Sequence, residues 1–276
     1  MPAAKTTVHT TSANSAPVAL ITGASSGIGE ALAACFAQAG YDLVLVARSA
    51  DKLATLAEAM AVKHGVNAWA EPADLSQREA APKLAARLKR QRRTVDVLVN
   101  CAGVLSQGAF VKASADSSQD MIDLNISGLT AMLNAFLPGM VERGTGRVLN
   151  VASIAAFQPI PSLATYAATK AYVLSLTESL SEELKGTGVT ISALCPGVTA
   201  TRMFSQAKDA NASLSKIPSA MVSDVGDVAQ LGFKACMKGQ VICVPGIANQ
   251  ASVLASRSTP KWLVRRMGGW MGRAVL

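Results

Sequence analysis

Aromatic residues make up only 4% of this 276-residue chain and charged residues 16%, while half of it is hydrophobic. A core short of rings is built from Ala, Val, Leu and Ile, the composition that strands buried on both faces prefer. Histidine is scarce: His9 stands in a polar tail and His64 near a helix end, so no metal site is expected. The five cysteines (Cys35, Cys101, Cys195, Cys236, Cys243) are odd in number and scattered, with no Cys-x-x-Cys pair. That argues against a secreted disulfide framework and for reduced thiols in a cytoplasmic protein. Residues 1–16 are rich in Thr, Ser and Ala and lack the apolar core of a secretory signal, so they are expected to form a disordered leader. Uncharged stretches are interrupted by Pro, Gly, Asn and Gln, as at Gln158-Pro159 or Pro245-Gly246, and no membrane-crossing helix is expected.

Acids are missing altogether from residues 228–276, where every charge from Lys234 to Arg273 is positive. The rest of the chain is nearly balanced, so the net charge of +8 belongs to the C-terminal segment. It does not describe a body shaped for nucleic acid. A second basic cluster (Lys83, Arg87, Lys89, Arg90, Arg92, Arg93) ends a helix, where cations complement the helix dipole.

What is present is an alternation of short apolar runs with helical periodicity. It predicts strands over 18–22, 43–47, 68–71, 95–100, 147–152, 190–195 and 240–244. Helices are predicted over 27–39, 51–64, 77–90, 120–142, 164–185 and 225–237. Such alternation is the pattern of a parallel sheet with helices on both faces. The expected architecture is therefore α/β: one doubly wound Rossmann domain over 17–250, with a seven-stranded, mainly parallel sheet. Residues 251–276 form a basic amphipathic extension. Leu176, Leu180 and Leu184 recur on one helical stripe and are read as core or subunit contact.

Two motifs carry chemistry. Tyr166 and Lys170 are four apart on a predicted helix, which puts phenol and ammonium on one face. A cation that close favours tyrosinate and is expected to lower the phenol's pKa, making Tyr166 an acid/base near neutrality. Far upstream, Gly23-x-x-x-Gly27-x-Gly29 lies between a strand and a helix, with Ser25, Ser26 and Ile28 inside the loop. Gly23 suits a tight turn, Gly27 the close approach of a pyrophosphate, and Gly29 close packing of helix on strand. The helix N-terminus adds unpaired N–H groups. Cofactor choice is read at the end of the second strand, where an acid would bind the ribose hydroxyls of NAD. This chain has Val46-Ala47-Arg48-Ser49 and then Lys52, which suits the 2′-phosphate of NADP. Taken singly, Arg48 could be an exposed strand-end residue and the Tyr–Lys pair an ordinary helix-surface neighbour pair.

Together these residues resemble the short-chain dehydrogenase/reductase family over roughly residues 17–244. The resemblance rests on Thr-Gly-Ala-Ser-Ser-Gly-Ile-Gly at 22–29, Asp74-Leu75, and Asn100-Cys101-Ala102-Gly103. It continues with Asn125, Ser153, Tyr166/Lys170 and Pro196-Gly197-Val198-Thr199, in the family's order. Cys101 is the one departure, where the family usually shows Asn or no extra residue. The resemblance implies that Tyr166 exchanges a proton with a carbonyl or alcohol oxygen as hydride moves to or from the nicotinamide. It implies that Lys170 stabilises tyrosinate and holds the nicotinamide ribose, that Ser153 holds the reacting oxygen, and that Asn125 positions a water linking Lys170 to solvent. It also implies that Asp74 and Leu75 meet the adenine and that Asn100, Ala102 and Gly103 flank the adenosine ribose. Pro196, Gly197, Val198 and Thr199 would border the carboxamide. A homodimer or homotetramer built on the helices beginning near Asp120 and Ala164 is implied as well.

The same resemblance puts Ile154, Ala155, Ala156, Phe157 and the 199–222 segment around the substrate. Phe157, Met203 and Phe204 suggest an apolar ketone or aldehyde. For the tail, a segment covering the cleft or a subunit surface is favoured over an anchor for anionic lipid, because so short a segment, with a central Gly268-Gly269 expected to interrupt any helix, has few anchoring residues. Three function classes follow: an NADP-dependent carbonyl reductase or alcohol dehydrogenase, a cofactor-binding regulator, and a membrane-surface protein working through its basic tail. The full set of Tyr166, Lys170, Ser153 and Asn125 favours the first.

Overall fold

The computed structural model describes residues 16–205 and 222–273. The leader expected over 1–16 lies, but for residue 16, outside the described residues, and so does 206–221 within the expected lid. Seven strands form one sheet: β1 (Val18–Thr22), β2 (Asp42–Ala47), β3 (Ala68–Pro72), β4 (Val97–Asn100), β5 (Gly146–Val151), β6 (Val189–Leu194) and β7 (Ile242–Cys243). Their order is β3-β2-β1-β4-β5-β6-β7, and every neighbouring pair is parallel. The sequence reverses direction between β1 and β4, which opens a crevice above the carboxyl ends of those strands.

The strands are apolar on both sides, and their period of two divides the core in two. Val18 and Leu20 of β1, with Val44 and Val46 of β2, join a cluster with Leu84, Leu88, Met132 and Val173. Ala19, Ile21, Leu43 and Leu45 point the other way, into a cluster with Leu32, Phe36, Leu53 and Val228. Helices α3 (Ala80–Arg90), α5 (Leu129–Arg143) and α6 (Ala164–Glu183) thus cover one face. Helices α1 (Gly27–Gln38), α2 (Ala50–His64) and α7 (Val225–Lys238) cover the other. Leu176, Leu180 and Leu184 pack into the first cluster, so that stripe is core.

The departures from expectation have local causes. The helix expected to begin at Asp120 begins at Ala115, because Ser114 caps it by accepting a hydrogen bond from the Ser117 N–H. This helix, α4 (Ala115–Ile122), runs through a π-helical turn (Asp123–Gly128) into α5. The uncharged run inside it, Leu124 to Val141, is interrupted by Asn125, Gly128, Asn134 and Pro138. By length and composition, Ala115–Arg143 is apolar enough to cross a bilayer, yet Met121, Leu129, Met132, Leu133 and Met140 face the protein core. Two helices follow β7: α8 (Ile247–Ser258) and α9 (Lys261–Arg273). Gly268-Gly269 does not break α9 as expected; a helical glycine costs about 1 kcal/mol relative to alanine, a penalty that neighbouring residues can absorb.

Candidate active site

Above the carboxyl ends of β1 through β6 lies a cleft of about 570 Å³. Its glycine-rich edge is fixed by sterics. Gly23 has φ +68°, and a Cβ there would lie 2.9 Å from the Ala102 backbone. Gly27 has φ +59°, and a Cβ on Gly29 would fall 2.3 Å from the Gly23 carbonyl oxygen. The chain therefore turns too tightly for any side chain at Gly29. Ser26 stands at the N-cap of α1, but its hydroxyl makes no capping bond, leaving it and the first N–H groups of the helix directed at the cleft. Thr22, which the sequence reading did not assign, locks this edge to the next. Its Oγ1 accepts from the N–H groups of Cys101 and Ala102, both at 3.0 Å, and donates to the Val99 carbonyl.

Ser25, Ser26, Gly27 and Ile28 line the cleft, as do Arg48 and Lys52 beyond β2. Asp74 and Leu75 line it from the end of β3. Burial works to raise the Asp74 carboxyl, but hydrogen bonds from the Ser76 N–H and hydroxyl, with Arg48 nearby, outweigh it and hold the group below the usual range. Ala102 and Gly103 line the wall after β4. Gly29 and Asn100 do not reach the cleft surface. Asn100 turns its side chain into the core, where Nδ2 donates to Asn150 Oδ1 at 3.0 Å, and Asn150 Nδ2 donates in turn to Thr177 Oγ1.

Asn125 sits in the π-helical turn and also lies behind the cleft wall. Its Oδ1 accepts the Val104 N–H and its Nδ2 donates to the Val104 carbonyl, each at 2.9 Å, and to Thr169 Oγ1 at 3.2 Å. Both amide protons are thus taken by protein partners. The side chain ties the loop after β4 to α6, one residue before Lys170.

Ser153, Tyr166 and Lys170 converge on the same cleft. Ser153 follows β5 and caps a short 3₁₀ turn (Ile154–Phe157), its Oγ accepting the Ala155 N–H at 3.1 Å. Tyr166 and Lys170 lie one turn apart near the start of α6, and Lys170 Nζ donates to the Val151 carbonyl at 2.9 Å. The expected lowering of the Tyr166 pKa is overturned. Burial pushes the phenol up, since an isolated phenolate is poorly solvated there; a hydrogen bond with Ser153 works the other way, and Cys101 adds to the rise. The ammonium lies 5.7 Å from the ring centroid, over the ring. Burial lowers Lys170 itself to about 8, against the raising influence of Cys101 and Cys195. Cys101 is pushed up to about 12 by burial, with Lys170 opposing, so it stands beside the pair as a neutral thiol at pH 7.

Pro196, Gly197, Val198 and Thr199 form the wall after β6, and Ile154, Ala155, Met203 and Phe204 join it. Ala156 and Phe157, expected around the substrate, do not line the cleft. Phe157 is half-buried against the first core cluster instead, beneath the Arg257 guanidinium at 5.1 Å. Helix α8 closes this side: Arg257 pairs with Glu178 of α6 at 3.2 Å, and Asn249 packs against Gly197. Val104, Leu105, Leu124, Ile160 and Leu163 complete the apolar lining. They carry no motif, and only the fold gathers them.

The family model for short chain dehydrogenase matches residues 17–212. An uncharacterized oxidoreductase of Staphylococcus haemolyticus is 40% identical over 186 residues, 67% of this chain and 79% of its own length. A short-chain dehydrogenase from Sphingobium yanoikuyae in complex with NADPH superposes with a TM-score of 0.77 at 33% identity, covering 87% of this chain and 93% of that one. A short chain dehydrogenase/reductase from Burkholderia phymatum in complex with NAD gives a TM-score of 0.77 at 28% identity, covering 86% and 92%.

Proposed function

Since the chain belongs to the short-chain dehydrogenase family and is an oxidoreductase of that family, we propose that it interconverts an apolar ketone or aldehyde with its alcohol, using NADP(H). The observation that carries this reading is the convergence of Ser153, Tyr166 and Lys170 on a cleft edged by the Gly23–Gly29 turn. The residues present fit a dinucleotide. The turn excludes side chains where a pyrophosphate would approach, and α1 offers free N–H groups beneath it. Arg48 and Lys52, both exposed, suit a 2′-phosphate. Ser25, Ser26, Asp74, Leu75, Ala102 and Gly103 would border the adenosine half, and Pro196 through Thr199 the nicotinamide. When bound, the nicotinamide supplies or accepts the hydride.

The protein's own part is to orient the carbonyl and move a proton. Ser153 Oγ, which accepts the Ala155 N–H at 3.1 Å and makes only a long 3.5 Å bond to the Pro196 carbonyl, turns to hold the substrate oxygen beside the phenol. Burial keeps Tyr166 protonated at neutral pH, the state required of a proton donor to a ketone being reduced. Lys170, held by the Val151 carbonyl, stabilises the tyrosinate left behind. Asn125 acts as a positioning residue, pinning the loop at Val104 to Thr169, the residue before Lys170. Ile154, Ile160, Leu163, Met203 and Phe204 make an apolar enclosure that favours an apolar carbonyl and excludes water. Five free cysteines accord with a reducing, cytoplasmic setting. Self-association through the α4–α6 side would cover Phe110, Val111 and Tyr172, all exposed in the single chain.

The test is a panel of ketones and aldehydes of graded chain length, followed by NADPH absorbance with wild type and Arg48→Ala. The reading expects turnover that rises with apolar chain length. It also expects a KM for NADPH about tenfold higher in the variant, with the KM for NADH little changed. No turnover with any carbonyl, or equal changes for both cofactors, would contradict it.

A further inference from the structure

Helix α8 uses one side to close the cleft and leaves the other uncovered. Val253 is its one buried hydrophobic residue, whereas Ile247 is 85% exposed and Leu254, two turns later on the same side, 67% exposed. Trp262, at the start of α9, is 59% exposed. Exposed cations follow on α9: Lys261, Arg265 and Arg266. No Asp or Glu occurs anywhere from residue 228 onward to offset that charge. Arg257 is the exception among the cations, because Glu178 takes it.

Three occupants could cover such a surface, and its chemistry separates them. A second copy meeting it about a twofold axis would set cation against cation, since the same patch faces itself in such an interface. A nucleic acid would satisfy the cations but would leave Ile247 and Leu254 without partners. An anionic bilayer satisfies both, drawing Lys and Arg to its phosphates while the apolar side chains enter the boundary beneath the headgroups. We propose that the outer side of α8 with the first turns of α9 docks on an anionic membrane surface. Because the inner side of α8 packs on Gly197 and the turn bearing Phe157, docking would hold the apolar cleft beside the bilayer. The proposal does not depend on the reading of the cleft as a reductase site.

The experiment is co-sedimentation of the full chain with vesicles of pure phosphatidylcholine and of phosphatidylcholine containing phosphatidylglycerol. Folding of each variant is checked by circular dichroism and its oligomeric state by light scattering. Wild type is expected to partition strongly onto the anionic vesicles and weakly onto the neutral ones. The triple variant Lys261→Ala/Arg265→Ala/Arg266→Ala should lose roughly a hundredfold in affinity. Ile247→Ser/Leu254→Ser/Trp262→Ser should also release the protein with its cations intact. Four results would overturn the proposal. They are no preference for anionic vesicles, undiminished binding by the apolar triple variant, tighter retention by duplex DNA than by the vesicles, and dissociation of an oligomer by the apolar variant while vesicle binding is unchanged.

Discussion

The Gly23–Gly29 turn and helix α8 border the same cleft, but they are held by different kinds of contact. In the turn, backbone meets backbone: a Cβ on Gly29 would fall 2.3 Å from a carbonyl oxygen, and one on Gly23 would press into Ala102. In α8, the contacts run largely through the ends of side chains that remain half in solvent, such as Arg257 to Glu178. The first kind tolerates one residue type and so leaves a readable motif. The second tolerates many and leaves none. Cofactor chemistry is accordingly written in the turn, while the substrate side is assembled from residues that any apolar sequence could supply.

Two glycines sharpen that contrast. Gly29→Ala must open the turn, so cofactor affinity is expected to fall by more than an order of magnitude, together with a lower Tm. Gly65 also has positive φ, as the C-cap of α2, but no atom lies within 4 Å of a Cβ placed there. Gly65→Ala should therefore cost only about 1–2 kcal/mol for its left-handed backbone and leave cofactor titrations unchanged. Equal loss of affinity in the two variants would remove the steric argument for the turn.

Lys170 gives an effect with a definite pH signature. Its folded value near 8 lies below the ordinary 10.5, so the unfolded chain holds the extra proton between those limits and stability rises with pH across that window. Lys170→Met removes the buried charge. The stability difference between variant and wild type should shift toward wild type from pH 8 to 10.5, by a few kcal/mol at most. A difference that stays flat over that range would mean the lysine is not desolvated. Least affected should be Arg257→Ala. A half-exposed ion pair contributes about 1 kcal/mol or less, so Tm should move by a few degrees and NADPH affinity not at all. A variant that fails to bind cofactor would show that α8 braces the whole cleft rather than its substrate side.

Much of the architecture was legible because parallel strands buried on both faces are nearly continuous apolar runs, and all seven begin and end within two residues of where the pattern put them. β7 is the weak one: Gln240 and Val241 precede the two residues that pair, and only Ile242 and Cys243 form ladder. The start of α4 was missed because its first turn is polar and its signal is a single capping serine, Ser114. At the site, the motif residues Gly23, Ser153, Tyr166 and Lys170 do meet in one cleft. Their energetics were less legible. Spacing alone put a cation beside Tyr166, but the direction of its pKa depends on how much water the fold removes, and burial dominates. The directions of Asn100, turned toward Asn150, and of Phe157, outside the cleft lining, were not legible for a related reason, since a residue's place in the order of the chain does not say which way its side chain turns.

The central claim is that the Tyr166 hydroxyl gives a proton to a carbonyl oxygen in this cleft. Ketone-dependent NADPH oxidation by Tyr166→Phe, with NADPH affinity measured in parallel by fluorescence, tests it most directly. The account expects kcat to fall on the order of a thousandfold while affinity stays near wild type. Turnover within a few-fold of wild type would contradict it.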